Sequence, residues 1–184
     1  LASIAIPGTD NENMQERLNR LEINNFIYKG YPVQFWDVYG EGGIPVRTTV
    51  TEMGPLMLSR ILNLNDTQTG VLNIVFRVAD ERGLLLLDLK DLRAMVQYVG
   101  DNSKDFRMKY GNITAQSIGA ILRSLMTLED QGGEFFFGEP ELDIFDWIKT
   151  SADGRGYINV LHCAKLFLNP LLYLPQSVKG ISFK

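Results

Sequence analysis

Apolar side chains recur at three- and four-residue intervals through the middle of this chain, a spacing that makes helices the main building material. Val71, Leu72, Val75, Phe76 and Val78 form one stripe, Leu89, Leu92, Val96 and Val99 a second, and Ile118, Ile121, Leu122, Leu125 and Leu128 a third. Stripes this wide are covered when helices pack on one another, so the segment reads as a bundle. Punctuating residues set its boundaries. Thr9 or Asp10 caps a helix over about 9–23, and Pro55 opens one running to about 64. Asp66 or Thr67 caps the first stripe, while Asp88 caps the second, which Gly100 closes. A short helix from Ser103 to Tyr110 follows, then Thr114 caps the third stripe, which ends at Gly132 and Gly133.

Strand signals flank the bundle. Val33 to Tyr39 carries apolar residues on both faces, as in a strand covered on two sides. Tyr157 to His162, after the Asp153-Gly154-Arg155-Gly156 turn, is a second strand. Between them Val46 to Val50 is β-branched and alternating. It follows a turn rich in glycine (Gly40, Gly42, Gly43), so it is expected to be the second arm of a hairpin. Leu142 to Ile148 reads as a short strand running into a helical turn, with an ambiguous period. The fold class is α/β, predominantly helical.

Composition narrows the function classes. With 184 residues, 45% hydrophobic and 22% charged, the chain can bury one core. A net charge of −4 denies it a general basic field, so a high-affinity nucleic-acid surface made by this chain alone is not expected. The single Cys163 forms no internal disulfide and suits a reducing cytoplasm. Leu84 to Leu87 is the longest apolar run, far short of the ~20 residues that cross a bilayer, so no membrane association is expected. The chain begins Leu-Ala-Ser-Ile, without an initiator Met, and is expected to be cut from a longer one; apolar faces left by such a cut favour a homo-oligomer.

No Gly-Lys pair occurs anywhere, so a phosphate-binding loop is missing. Leu84 to Leu87 followed by Asp88 has the shape of an apolar strand ending in a Mg²⁺-orienting acid. The helical spacing of Leu89 and Leu92 makes Asp88 an N-cap instead. His162 is the only histidine, and on a strand its neighbour Cys163 points to the opposite face, which leaves a structural or interface role and no zinc shell. Glu139, Glu141, Asp143 and Asp146 gather carboxylates suited to a cation or an acid/base pair. They lack the glycine-centred calcium pattern and read as a solvated acidic turn, as do Asp80 and Glu81. Lys104, Arg107 and Lys109, interleaved with Phe106 and Tyr110, could stack on bases, but a charged helix face accounts for them. Arg47, Arg60, Arg77, Arg93 and Arg123 are each candidates to act across a subunit interface, and nothing separates them. No catalytic, nucleotide-binding or metal residue is therefore assigned, and no cofactor is expected in this chain.

Longer stretches carry a resemblance. Phe35-Trp36-Asp37-Val38-Tyr39-Gly40-Glu41, Pro45 to Val50, Leu62 to Asn65, Gly70 to Ile74 and Gly83 to Arg93 together resemble HerA-like P-loop ATPases of bacteria. Tyr110 to Ile113, Gly138-Glu139-Pro140 with Leu142 to Ile144, and Gly156 to Leu161 extend the similarity, which covers about residues 1–173. The resemblance implies that residues 1–184 form one segment of a RecA-like ATPase domain. Its partial sheet would have strands near 33–39, 46–51 and 157–162, and its helical insertion would span about 53–133. It places the Walker A loop before Leu1 and the Walker B strand with its acid after Tyr173. The implied parent is a hexameric ATP-dependent DNA translocase or helicase that uses ATP and Mg²⁺, and this segment alone would be inactive. From Pro175 to Lys184 the tail departs from the long apolar helix expected of the family. Two other classes fit the residues: a non-enzymatic helical protein-interaction module, and a small hydrolase built on the 139–146 acids.

Overall fold

A computed structural model describes residues 2–162, and the 163–184 tail with Cys163 lies outside the described residues. Three parallel strands form the sheet in the order β2-β1-β3: β1 (Val33–Asp37) is central, flanked by β2 (Ile44–Pro45) and β3 (Ile158–His162). The register aligns Val33 with Ile158 through to Asp37 with His162, and Trp36 with Ile44. The expected hairpin does not form. The second strand falls at 44–45 instead of 46–51 and runs parallel to β1, because the intervening turn wraps around the Asp37 side chain and re-enters in the same direction. Gly43 permits that path: a Cβ there would lie 2.6 Å from the Phe35 carbonyl oxygen.

Side-chain caps place the helices. In α1 (Glu12–Arg20) the cap is Asn11, whose carboxamide accepts the Met14 N–H at 2.9 Å. Asp10, expected to cap, accepts instead from Gln15 and Tyr28. Helix α2 (Val50–Ile61) starts at Thr49, earlier than Pro55 suggested; Gly54 at φ 70° interrupts it and Pro55 reopens it. In α3 (Asp66–Glu81) the cap is Asn65, which trades hydrogen bonds with Gln68 in a capping box, displacing Asp66 and Thr67 from that role.

Asp88 caps α4 (Leu89–Asp101), accepting the Lys90 and Asp91 N–H groups at 2.8 and 2.9 Å. Gly100 does not close α4 but lies inside it, where a Cβ would meet Ile118 of α6 at 3.0 Å; it is a close-approach glycine between two helices. Helices α5 (Ser103–Tyr110) and α6 (Ala115–Asp130, capped by Thr114) follow as expected. The short α7 (Gly133–Phe136) and α8 (Ile144–Trp147) complete the described helices; α8 is the expected helical turn, but residues 142–143 form no strand ahead of it, because Asp143 caps the helix instead.

The main core lies among α2, α3, α4 and α6. Leu58, Leu72, Val75, Leu92, Val96, Ile121 and Leu125 are fully excluded from solvent there, so the stripes read from spacing do face one another. Each cap satisfies helix N–H groups that otherwise have no partner. Replacing Asp88 with alanine is expected to lower the unfolding free energy by about 1 kcal/mol, read from a urea midpoint.

Candidate functional site

Open parallel sheets hold ligands outside the carboxyl ends of their strands. At that end of the central strand sits Asp37, only 3% exposed. Its carboxylate accepts backbone N–H groups from Tyr39 at 3.1 Å, Glu41 at 3.0 Å and Gly42 at 2.9 Å. His162, its register partner on β3, places Nδ1 3.8 Å from Asp37 Oδ2, near enough for attraction when protonated and too far for a hydrogen bond. Burial raises the affinity of Asp37 for a proton. The three N–H donors, helped by His162, outweigh it and hold the carboxyl below its ordinary value of 3.8.

Further polar ties fix the site from beneath. Trp36 Nε1 donates to Asn159 Oδ1 at 2.8 Å, and Asn159 Nδ2 donates to the Trp147 carbonyl at 2.6 Å, joining β1, β3 and α8. Trp36 and Trp147 meet edge-on with centroids 5.9 Å apart. Sequence reasoning passed over Asp37 as a site. The signal was an acid ending an apolar strand just before the Gly40-Glu41-Gly42-Gly43 turn, in which backbone amides can converge on a carboxylate.

A turn this rich in glycine suggests a phosphate cradle, and the donor set tests that. The Tyr39, Glu41 and Gly42 N–H groups already serve a buried carboxylate. A phosphate would have to compete for the same donors against a fixed negative charge. The turn therefore does not fit a nucleotide phosphate.

Other residues singled out from sequence are dispersed. Asp88 is a cap at the edge of a cleft of about 420 Å³ that Arg47, Lys90 and Glu139 also line. Arg47 is occupied, donating to the carbonyls of Glu139 at 2.6 Å and Phe137 at 3.4 Å. Arg93 pairs with Glu129, whereas Arg60, Arg77 and Arg123 are exposed. Among the acids, Asp143 caps α8, Asp146 pairs with Lys149 at 2.5 Å, and Glu141 accepts from Thr49 at 3.4 Å. No group of three or more His, Cys, Asp or Glu among the described residues is arranged to hold a metal ion. The aromatics of α5 face inward: Phe106 packs edge-on against Tyr98 at 5.9 Å, and Tyr110 bonds Glu81 through its hydroxyl. Lys109 is bound to Glu81 at 2.5 Å, whereas Lys104 and Arg107 are exposed and have no ion pair among the described residues.

A small three-stranded parallel sheet joined to a helical layer defines a predominantly helical α/β protein. Its sequence matches the helicase HerA-like C-terminal family over residues 1–177, and the chain belongs to that family. Comparisons with curated proteins and with solved structures found no match. Among the described residues no helix is long and apolar enough to cross a membrane.

Proposed function

We propose that this chain is part of a HerA-like, ATP-driven DNA translocase or helicase working in the cytoplasm as a homo-oligomer. On this reading the chain supplies the motor's sheet edge and a helical insertion of about 53–133 within a RecA-like domain, and does not supply its phosphate grip. Asp37 supports the reading best: a buried carboxylate gathers three backbone amides into a rigid turn at the carboxyl end of the middle strand. Such a turn can fix the position of neighbouring groups without touching a phosphate itself. Asp37 is thus a positioning residue, and the exposed Glu41 is the side chain that the turn carries. Membership of the helicase HerA-like C-terminal family over residues 1–177 supports this reading. ATP and Mg²⁺ would be gripped by segments of the parent other than this one, since no Gly-Lys pair is present.

Turnover of ATP tests the proposal. The 184-residue chain should hydrolyse none. A longer parent carrying a Gly-x-x-x-x-Gly-Lys-Ser/Thr loop should hydrolyse ATP, and Asp37→Asn in that parent should reduce kcat roughly tenfold to a hundredfold, the usual penalty for a misplaced group. KM should change less, because phosphate binding is elsewhere. Unaided turnover by this chain, or an unaltered kcat in Asp37→Asn, would overturn the reading.

A further inference from the structure

The bundle does not need α5 to join α4 to α6. Near the end of α4, a Cβ on Gly100 would meet the Ile118 side chain of α6 at 3.0 Å, and Val99, Ile113 and Ile118 are all buried. The two helices are pinned to each other directly, so residues 102–112 leave and return between neighbouring points, as a compact surface loop does. Within that excursion none of the eight residues of α5 is buried. A helix so short does not persist on its own bonds, and its place depends on what ties it down.

Its polar ties gather at one carboxylate. At the last residue of α3, Glu81 Oε2 receives Lys109 Nζ at 2.5 Å and the Tyr110 hydroxyl, both from the final turn of α5. A further tie is aromatic, where Phe106 meets Tyr98 of α4 edge-on with centroids 5.9 Å apart. Tyr98 has a second anchor in the Arg82 guanidinium, 4.5 Å from its ring centroid, and so keeps its place without Phe106. Glu81 and Lys109 are 44% and 61% exposed, and an ion pair this open to water is weak. The chain has a joint at each end of the helix. Asn102 offers α5 no side-chain cap, and Gly111 stands at φ 96°, a backbone that favours glycine, with open space where a Cβ would point. Lys109 and Tyr110 also form one wall of a groove of about 650 Å³, which Thr51 and Pro55 of α2 and Asn73 and Arg77 of α3 line as well. Lifting α5 removes that wall.

We propose that α5 is a hinged strap, latched by Glu81, that lifts between Asn102 and Gly111 and widens the groove beside α3 while α2, α3, α4 and α6 stay packed. Lifting frees Lys109 and Tyr110 from Glu81 and uncovers the edge of the Tyr98 ring that Phe106 covers. The buried contact of Gly100 with Ile118 is untouched, which is why the motion stops at the strap. The strap needs no nucleotide chemistry, so its failure would leave the motor reading to the turnover assay.

Hydrogen exchange on the 184-residue chain tests the strap. Backbone amides of residues 107–110 should exchange at least about a hundredfold faster than those in the middle of α4 and α6, because the strap lifts without the bundle. Glu81→Ala should speed α5 exchange about fivefold further, as expected for one exposed, charge-assisted tie, and leave α4 and α6 unchanged. Lys109→Ala should act in the same direction. The double variant should exchange no faster than Glu81→Ala, since both changes remove the same interaction. Salt should speed α5 exchange in the wild type and have little effect in Glu81→Ala. Asp80→Asn is the control: Asp80 lines the groove but makes no ion pair with α5 among the described residues, so α5 exchange should match the wild type. Amides of α5 as protected as those of α4 and α6, or a Glu81→Ala chain in which they are unchanged, would overturn the proposal. So would a Glu81→Ala chain in which all three helices speed up equally, which would make α5 an integral part of the bundle.

Discussion

An Asp37→Ala chain should lose about 3–5 kcal/mol of unfolding free energy, the range for removing one member of a buried, hydrogen-bonded charged group. The Tyr39, Glu41 and Gly42 N–H groups would be left without their acceptor in a buried turn, and each unpaired donor carries a desolvation cost of its own. Asp37→Asn keeps one acceptor oxygen and should lose less, about 1–2 kcal/mol. The two substitutions also differ from the wild type in their response to acid. The folded carboxyl titrates below its ordinary value of 3.8, so its contribution is present in full above that value and disappears as pH falls through the folded pKa. Urea midpoints followed from neutral pH into the acid range should therefore fall steeply for the wild type and more gently for Asp37→Asn. Asp153, held down to about 2 by its hydrogen bonds to Ser151 and Arg155, works in the same direction, but as an exposed group it should contribute little. Equal acid slopes in the wild type and Asp37→Asn would show that the N–H donors do not hold the carboxyl down.

The acid response also marks where sequence reasoning stops. Helices α3, α4 and α6 were legible because burying a helix face demands periodicity, and Asp88 and Thr114 announce their own caps. Asn11 and Asn65 were harder, since each sits beside an Asp equally able to cap. Only Gln68, reaching back to the Asn65 N–H at 3.1 Å, separates Asn65 from Asp66. Gly100 shows a limit of another kind. A glycine near a helix end usually terminates it, yet here the missing Cβ admits Ile118 from a different helix, a contact that local pattern does not encode.

The strand at 44–45 was missed for a related reason. Val46 to Thr49 have β-branched character, and Val46 bonds back to Asp37 of β1, but the backbone partners of Arg47 and Thr48 come from residues far along the chain. Thr48 N–H donates to the Phe136 carbonyl at 3.0 Å, and Gly138 N–H returns to Thr48 at 2.9 Å. Asp37 itself belonged to a motif that carried the family resemblance, but its chemistry depends on a turn whose path only coordinates reveal.

That long-range pairing locates the second large effect, at Phe137. Its ring is 2% exposed and, among the described residues, is the largest side chain fully enclosed. It meets Phe136 edge-on at 5.1 Å and, with Val38 and Tyr39, borders a gap of about 20 Å³, too small to absorb a repacked neighbour. Its backbone joins the segment after β2 through the Thr48 bridge, while Arg47 holds the Phe137 and Glu139 carbonyls. Phe137 thus lies where the helical layer meets the base of the Asp37 turn. Phe137→Ala should cost about 3–5 kcal/mol, from lost burial and from the cavity left behind. Phe135, two residues earlier and 61% exposed, provides the internal control: Phe135→Ala should stay within about 0.5 kcal/mol of the wild type. If Phe137 couples the two layers, its alanine variant should also expose the 38–43 turn to protease before the α3–α6 helices open, and Phe135→Ala should not. Cleavage that begins in the helices, or equal urea midpoints for the two variants, would refute that coupling.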